Sequence, residues 1–172
     1  AVLRGYMVAK DKDRLMAAAR SETNTDLRRQ AIEYLGAMRA TSELADLYKA
    51  ESASEVRQRI LQALSESENA ERVIEIARSE KDAKLRAYAV RRLGDMNRTR
   101  TADALAAMYT AEAEKSVKTE IISALEEQNS AKELVQVART EKDPELKRFA
   151  VRKLSQMKSK EATDFLVELI DK

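Results

Sequence analysis

The sequence predicts an all-α fold of the α-solenoid class, a right-handed superhelix of antiparallel helix pairs, on three observations. First, one stretch occurs three times without a gap, as ARSETNTDLRRQAIEYLG at 19–36, ARSEKDAKLRAYAVRRLG at 77–94 and ARTEKDPELKRFAVRKLS at 138–155. Second, each predicted helix has one apolar stripe, and no strand-like alternation occurs. Third, the composition is rich in helix formers, with three Gly and one Pro. A unit repeated at this scale is typical of solenoids.

Two repeat lengths are present in the chain. Helix pairs recur about every 30 residues, and a period of two pairs aligns 43–77 with 104–138 at an offset of 61. The chain is three residues shorter between Leu35 and Tyr48 than between Leu93 and Tyr109, which predicts a tighter turn in the earlier pair. Loops of about two to five residues require neighbouring helices to lie antiparallel.

Helix positions follow from apolar spacing and capping residues. We predict helices near 10–20, 25–38, 42–50, 54–65, 70–79, 83–96, 101–111, 114–126, 131–140, 144–157 and 160–171. The predicted N-caps are Asn24 or Thr25, Asn69, Asp82, Thr99 or Thr101, and Asp143 followed by Pro144. Residues 2–6 already align with 60–64, so the chain begins inside a repeat. We therefore expect one repeat domain over 1–172 that belongs to a longer repeat protein.

The composition excludes several kinds of site. Cysteine and histidine are both absent, which removes disulfides, thiolate nucleophiles and imidazole bases or metal ligands. We predict no catalytic residue, no metal site and no cofactor. The 32 basic and 30 acidic residues give a net charge of +2, which argues weakly against a nucleic-acid module. No apolar run approaches the ~20 residues that span a bilayer. No targeting signal is visible, and the cytoplasm and the periplasm both stay open as compartments.

The pattern Asp82, Leu85-Arg86, Ala89-Val90 and Leu93-Gly94 resembles HEAT repeats, in particular the short class of bacterial phycobilisome-lyase-like proteins. The resemblance covers nearly the whole chain. It implies a binding scaffold in which a basic residue of each first helix bonds to an acidic loop residue of an adjacent repeat. The residues of this inter-repeat ladder would be Arg28, Arg57, Asp82, Arg86, Lys118, Asp143 and Lys147. Ala53 and Glu114 replace Asp at two matching loop positions, which predicts a softer ladder there.

The same resemblance places the second helix of each pair on a concave surface. Aligned positions there combine acids and bases, which favours a mixed, solvated groove for a protein or peptide. The candidate partner-binding residues are Arg20, Asp46, Lys49, Glu75, Arg78, Gln136 and Arg139. Their cations lie in last helical turns, so a purely structural role beside the helix dipole stays open. Tyr48 and Tyr109 are expected in the core, with their hydroxyls at the rim.

The predicted function is a non-catalytic protein–protein interaction scaffold, and two alternatives stay open. One is nucleic-acid backbone binding through a basic edge of Arg91, Arg92, Arg98 and Arg100 with Lys147, Arg148, Arg152, Lys153, Lys158 and Lys160. The other is an accessory role in pigment or cofactor attachment. HEAT-like DNA glycosylases and di-iron hydroxylases are disfavoured because Trp and His are absent. The chain is expected to be a monomer or to associate end to end through its terminal repeats.

Overall fold

The structure is a computed structural model that describes residues 2–171, in which the only regular secondary structure is helical. The predicted all-α fold of the helical-repeat, α-solenoid class is confirmed. Its helices are α1 (Val2–Val8), α2 (Lys12–Ser21), α3 (Thr25–Ala37), α4 (Thr41–Ala50), α5 (Ser54–Glu66), α6 (Ala70–Ser79), α7 (Ala83–Gly94), α8 (Arg98–Ala111), α9 (Lys115–Glu127), α10 (Ala131–Thr140), α11 (Pro144–Gln156) and α12 (Lys160–Ile170).

The chain divides into two compact units, Ala1–Glu75 and Ile76–Lys172, which are built in the same way. We call the odd-numbered helices first helices and the even-numbered helices second helices. In the first unit, α3 contacts both α1 and α5, and α2 contacts α4. In the second unit, α9 contacts both α7 and α11, and α10 contacts both α8 and α12. Each unit is therefore a stack of helix pairs with two layers.

Short turns of constant length produce this stacking. Within residues 2–171, every connection between consecutive helices is three residues long. Four turns inside a pair contain a non-glycine residue at positive φ, and one of these is Arg39 at 53°. The N–H of Arg39 donates to the Gly36 carbonyl (2.8 Å) and the N–H of Ala40 donates to the Leu35 carbonyl (2.9 Å). These two bonds form a Schellman C-cap, which reverses the chain so that the helices of a pair lie antiparallel.

The prediction of a tighter turn between α3 and α4 is wrong. Turns 38–40 and 95–97 have the same length, whereas α8 has 14 residues against 10 in α4, and α7 has 12 against 13 in α3. The longer α8 begins at Arg98 because the side chain of Asn97 accepts the Thr99 N–H (3.0 Å). Asn97, and not Thr99 or Thr101, is therefore the N-cap, and the additional residues extend a helix.

Leucines of both layers fill the core of the second unit. Leu93, Leu125 and Leu154 are fully buried on the three first helices, and Leu105 and Leu134 are fully buried on α8 and α10. The core of each unit is thus formed by the apolar stripes that the sequence predicts.

A glycine ends the first helix where two first helices pack closely. A Cβ on Gly94 would lie 3.0 Å from the Cβ of Ala124 on α9. The first unit repeats this pairing, since a Cβ on Gly36 would lie 3.0 Å from the Cβ of Ala63 on α5. Larger side chains at these positions would push adjacent first helices apart.

Three of the turns between pairs end in a capping side chain. Asn24, Asp82 and Asp143 each accept two N–H groups from the first turn of the following helix, and Pro144 occupies the first helical position. These predicted caps are confirmed. Ala53 and Glu114, at the matching positions before α5 and α9, form no such bond. The helix starts of α5 and α9 therefore lack a side-chain acceptor.

Ala53→Asp should raise the free energy of unfolding by about 1 kcal/mol, because its carboxylate would accept first-turn N–H groups of α5. Denaturant titration should show a higher midpoint with an unchanged slope. Ser52→Asp is the matched control, since it adds the same charge one residue before the cap. We expect Ser52→Asp to change stability by less than about 0.5 kcal/mol. Equal gains from the two variants would contradict the capping explanation.

Candidate interaction surface

All seven predicted partner-binding side chains are exposed on second helices. In the first unit, Arg20 lies in the last turn of α2, Asp46 and Lys49 lie on α4, and Glu75 lies on α6. The Nζ atom of Lys49 is 3.9 Å from Oε1 of Glu75, and Arg72 donates to the same carboxylate at 2.7 Å. Acidic and basic side chains of adjacent second helices therefore face each other, as a mixed groove requires.

The second unit has the same arrangement at α10 and α12. Arg139 and Gln136 are exposed on α10, and Nη2 of Arg139 is 2.6 Å from Oε2 of Glu168. The Arg139 guanidinium also lies 5.0 Å from the ring centroid of Phe165, within cation–π range. Arg78 is exposed in the last turn of α6, and no acidic side chain of residues 2–171 pairs with it. Arg78 is therefore a cation available to a partner.

A column of apolar side chains runs along the second helices of the second unit. Ala106 on α8 and Val135 on α10 are half-buried, and Val167 on α12 is exposed. Each lies one residue before an aligned position of the predicted surface, which is Ala107, Gln136 or Glu168. This apolar column borders the charged side chains, an arrangement that resembles the core and rim of a protein interface.

A cleft of about 500 Å³ lies at the N-terminal ends of α8, α10 and α12. Its charged lining consists of Arg98, Lys132, Asp103, Glu133 and Glu161. A cleft with both signs of charge suits a partner with mixed polar groups better than a strongly charged polymer.

The cleft and the apolar column share one face of the second helices. On α8, Ala106 of the apolar column follows the lining residue Ala102 by four residues, and its exposed neighbour Ala107 follows Asp103 by four. On α10, Val135 of the column follows the lining residue Ala131 by four residues. Residues four apart on a helix are neighbours on its surface. A bound segment can therefore reach from the cleft onto the apolar column.

The cleft also offers hydrogen-bond donors at the start of α10. Its N-cap residue Ser130 makes no side-chain cap bond, so the first-turn N–H groups have no side-chain acceptor. Ser130 lines the cleft, is 3% exposed, and its hydroxyl has no hydrogen-bond partner within the described chain. Free donors at a helix N-terminus suit the carbonyl or carboxylate oxygens of a peptide.

The basic residues of the predicted ladder bond to glutamates. Arg86 donates twice to Glu112, from Nε at 2.9 Å and from Nη2 at 3.0 Å, and Lys118 donates to Glu141 at 3.0 Å. In the first unit, Arg28 pairs with Glu51. Each of these glutamates directly follows a second helix. Burial would raise the pKa of Glu112, but Arg86 and the loop N–H groups lower it overall.

The same basic residues also reach the preceding helix pair. The Nε atom of Arg28 donates to the Ala19 carbonyl at 2.7 Å, and the Nε atom of Arg57 donates to the Glu51 carbonyl at 2.9 Å. Arg86 repeats this contact by donating from Nη1 to the Glu80 carbonyl at 3.1 Å. In the first unit the bonds therefore connect successive pairs, and in the second unit Arg86 holds the turn that precedes its own helix.

The two aspartates that were predicted to belong to the ladder are helix N-caps instead. Asp82 is the N-cap of α7, and Asp143 is the N-cap of α11, with Lys115 as its cationic neighbour at 3.3 Å. Their carboxylates are engaged by N–H groups of their own helix, so Arg86 and Lys118 bond to glutamates instead. Lys147 forms no ion pair with residues 2–171.

Sequence reasoning missed a glutamate at the start of every turn between pairs. These residues form the glutamate column, Glu22, Glu51, Glu80, Glu112 and Glu141. Each accepts at least one loop N–H through Oε1, with distances from 2.7 to 3.1 Å. The signal is present in the aligned repeats, where Glu follows Ala-Arg-Ser or Ala-Arg-Thr three times.

One member of the glutamate column is the centre of a buried polar cluster. Glu141 accepts the hydroxyl of Tyr109 and the ammonium of Lys118, and the Lys118 Nζ lies 4.8 Å from the Tyr109 ring centroid. Burial would raise the pKa of Glu141, but these donors and the loop N–H groups outweigh it and lower the pKa to about 2. Burial and then the bond to Glu141 raise the pKa of Tyr109. Tyr109 is thus a core residue, as expected, but its hydroxyl is buried against Glu141 and not at the rim.

The basic edge proposed for nucleic acid is partly neutralised by acidic side chains. Arg91 donates twice to Glu120, and Arg92 lies 2.9 Å from Asp95. Lys153 also pairs with Glu126, and Lys160 pairs with Asp164. An arginine or lysine that is already paired with a carboxylate neutralises phosphate less well and displaces fewer counterions from the nucleic acid. This weakens the electrostatic part of nucleic-acid affinity.

Two further features bear on the kind of site. No cluster of three or more Asp or Glu suited to a metal ion occurs among the described residues. Within the same range, no helix combines the length and apolar character needed to cross a bilayer.

No family model matches the sequence, and no curated protein matches it. Among solved structures, the chain is similar to a chain of the complex of CpcE and CpcF of phycocyanin lyase from Nostoc sp. PCC7120. The TM-score is 0.53 at 17% sequence identity, over 94% of this chain and 70% of that chain. The similarity is one of fold. It agrees with the helical-repeat architecture that the HEAT-like pattern implies.

Proposed function

We propose that this chain is a non-catalytic protein–protein interaction scaffold whose second helices bind a peptide segment of a protein partner. The observation that carries the proposal is the shared face of α8, α10 and α12, where the 500 Å³ cleft continues onto the apolar column. Apolar contacts would supply affinity, and the charged rim would supply orientation. The free N–H groups at the start of α10 would bond to peptide oxygens.

A peptide-display selection tests this proposal. The immobilised chain of residues 1–172 is exposed to a random-peptide library, and the recovered peptides are measured by fluorescence anisotropy. Ala107→Arg places a long charged side chain on the shared face of α8. We expect it to weaken binding at least about tenfold, which is ~1.4 kcal/mol. Arg78→Ala combined with Arg139→Ala should weaken acidic peptides most.

Ala37→Arg is the matched control for this experiment. It makes the same substitution at an exposed alanine on a first helix, α3. The control should bind as the wild type does, and circular dichroism should show equal helicity in all variants. Equal binding by Ala107→Arg and wild type would contradict a site on the second helices.

Nucleic-acid binding is tested on the same protein with single-stranded DNA and duplex RNA at two salt concentrations. The paired cations Arg91, Arg92 and Lys153 lead us to expect no tight binding. Tight binding that falls steeply with salt, and that is lost when Arg91, Arg92, Arg152 and Lys153 are reversed in charge, would instead favour this alternative.

An accessory role in pigment attachment is the second candidate, favoured by the structural similarity to the phycocyanin lyase complex. A cleft of this volume is in the range of small-molecule sites. Mixing the chain with an open-chain tetrapyrrole and recording the visible absorption and circular dichroism tests this candidate. A spectral change that Ala107→Arg abolishes would support it, and an unchanged spectrum would count against pigment binding by this chain.

A further inference from the structure

We propose that two copies of this chain associate head to tail, with α12 of one copy packed against the first helix pair of the next. The residues of α12 that carry this contact, Leu169 and Ile170, lie outside the proposed peptide site, and the proposal concerns the chain of residues 1–172. The proposal starts from where apolar side chains are exposed. Every exposed large hydrophobic residue of the described chain lies in α1, in α12 or at the start of α3: Val2, Val8, Leu27, Val167, Leu169 and Ile170.

The exposed residues of α12 belong to positions that other second helices bury. At the 61-residue offset, Ile170 corresponds to Tyr109 and Leu169 to Met108. Ile170 is 82% exposed, whereas Tyr109 is 4% exposed and bonds to Glu141 beyond the next first helix. The surface of α12 therefore has the apolar pattern of a face between two pairs, but it has no following pair in residues 2–171.

The first helix pair and the adjacent start of α3 show the same mismatch from the other side. Leu27 aligns with Leu146 in the repeated stretch, and it is 42% exposed, whereas Leu146 is 4% exposed. Val2 and Val8 add apolar area on α1. Both ends of the described chain thus expose the kind of side chain that contacts between pairs bury elsewhere. Burial of such area is the main driving force of association.

The opposite charges of the two ends of the chain favour a contact between the α12 end of one copy and the α1 end of the other. Residues 2–21 contain five cations and two aspartates, whereas residues 160–171 contain four carboxylates and one lysine. A contact between α12 and the first pair brings opposite charges together, but a contact between two copies of α12 brings like charges together. The expected contact is therefore heterologous, with different surfaces on the two copies.

Two single variants and their mixture test the proposal by sedimentation velocity over a wide range of protein concentration. Ile170→Asp removes the apolar contact of the α12 end, and Val8→Asp removes that of the α1 end. Both positions are exposed, so both variants should fold. The wild type should associate as concentration rises, and less at high salt. Each variant alone should raise the dissociation constant at least about tenfold. An equal mixture should form a two-copy complex, because each partner keeps one intact end.

Ala111→Asp is the matched control, since Ala111 is the last residue of α8 as Ile170 is of α12. It adds the same charge to the same kind of helix end, and it should associate as the wild type does. A wild type that stays monomeric at every concentration would overturn the proposal. Loss of association in Ile170→Asp but not in Val8→Asp would overturn it in favour of a symmetric contact between α12 ends. A mixture that stays monomeric would also overturn it.

Discussion

Leu93→Ala should lower the free energy of unfolding by about 2–5 kcal/mol. Leu93 is fully buried on α7, where a neighbouring glycine lets α7 pack closely on α9. Close packing leaves the surrounding helices little freedom to fill the cavity. The variant should therefore lose the transfer free energy of the removed methyl groups and also carry the free-energy cost of the cavity. Leu154→Ala on α11 removes an equally buried side chain and should have a cost in the same range.

Equilibrium unfolding in urea, followed by circular dichroism at 222 nm, provides the measurement. Leu27→Ala is the matched control because it makes the same change at a leucine that is 42% exposed. We expect this control to cost less than about 1 kcal/mol. A loss below about 1 kcal/mol for Leu93→Ala, or equal losses for the two variants, would mean that the apolar stripe of α7 is not the core.

Glu141→Ala should lower the free energy of unfolding by about 3 kcal/mol, because it leaves the Lys118 ammonium and the Tyr109 hydroxyl without their acceptor. Lys118 keeps 21% of its side chain exposed, so water compensates part of the loss. This places the expected value at the lower end for broken buried pairs. Urea unfolding of the variant and the wild type near neutral pH measures the difference.

The Glu141 carboxylate also makes the free energy of unfolding depend on pH. Folding lowers the pKa of Glu141 from 4.5 to about 2. The stabilisation is therefore complete above pH 4.5 and is lost as pH falls from 4.5 towards 2. Glu141→Gln cannot titrate, so the stability difference between wild type and this variant should shrink over that window. Glu161→Gln, at an exposed position on α12, should show no such convergence. A constant difference between wild type and Glu141→Gln from pH 5 to pH 2 would contradict the low pKa.

The helices could be predicted from sequence because one signal repeats. Apolar spacing locates helices of only 7 to 14 residues, and Asp82 and Asp143 mark helix starts by a local side-chain bond. Such local bonds can be predicted without knowing how the helices pack. The start of α8 was missed because Asn97, Arg98 and Thr99 are polar and precede the first buried residue, Thr101. Apolar spacing cannot detect a polar first turn.

The ladder shows where sequence reasoning fails. Arg86 could reach either Asp82 or Glu112 as far as residue type is concerned. The choice depends on which carboxylate is already engaged, and Asp82 is occupied by the N–H groups of Lys84 and Leu85. Glu112 lies 26 residues further along the chain, so only the packing of α8 against α7 and α9 brings it to Arg86. The exposure of the seven candidate partner-binding side chains could be predicted because exposure follows helical periodicity. The cleft was not, because it depends on three helix ends that meet in space.

The constant length of the turns affects how a gene that encodes this kind of chain can gain or lose helix pairs. Within residues 2–171, successive helices are joined by three-residue turns, and each turn between pairs begins with glutamate. An unequal crossover between two of these turns would insert or remove whole pairs while keeping the reading frame and every junction. The 61-residue period is the trace that one such duplication of two pairs would leave. Chain length in this architecture is therefore open to evolution in steps that preserve each local bond.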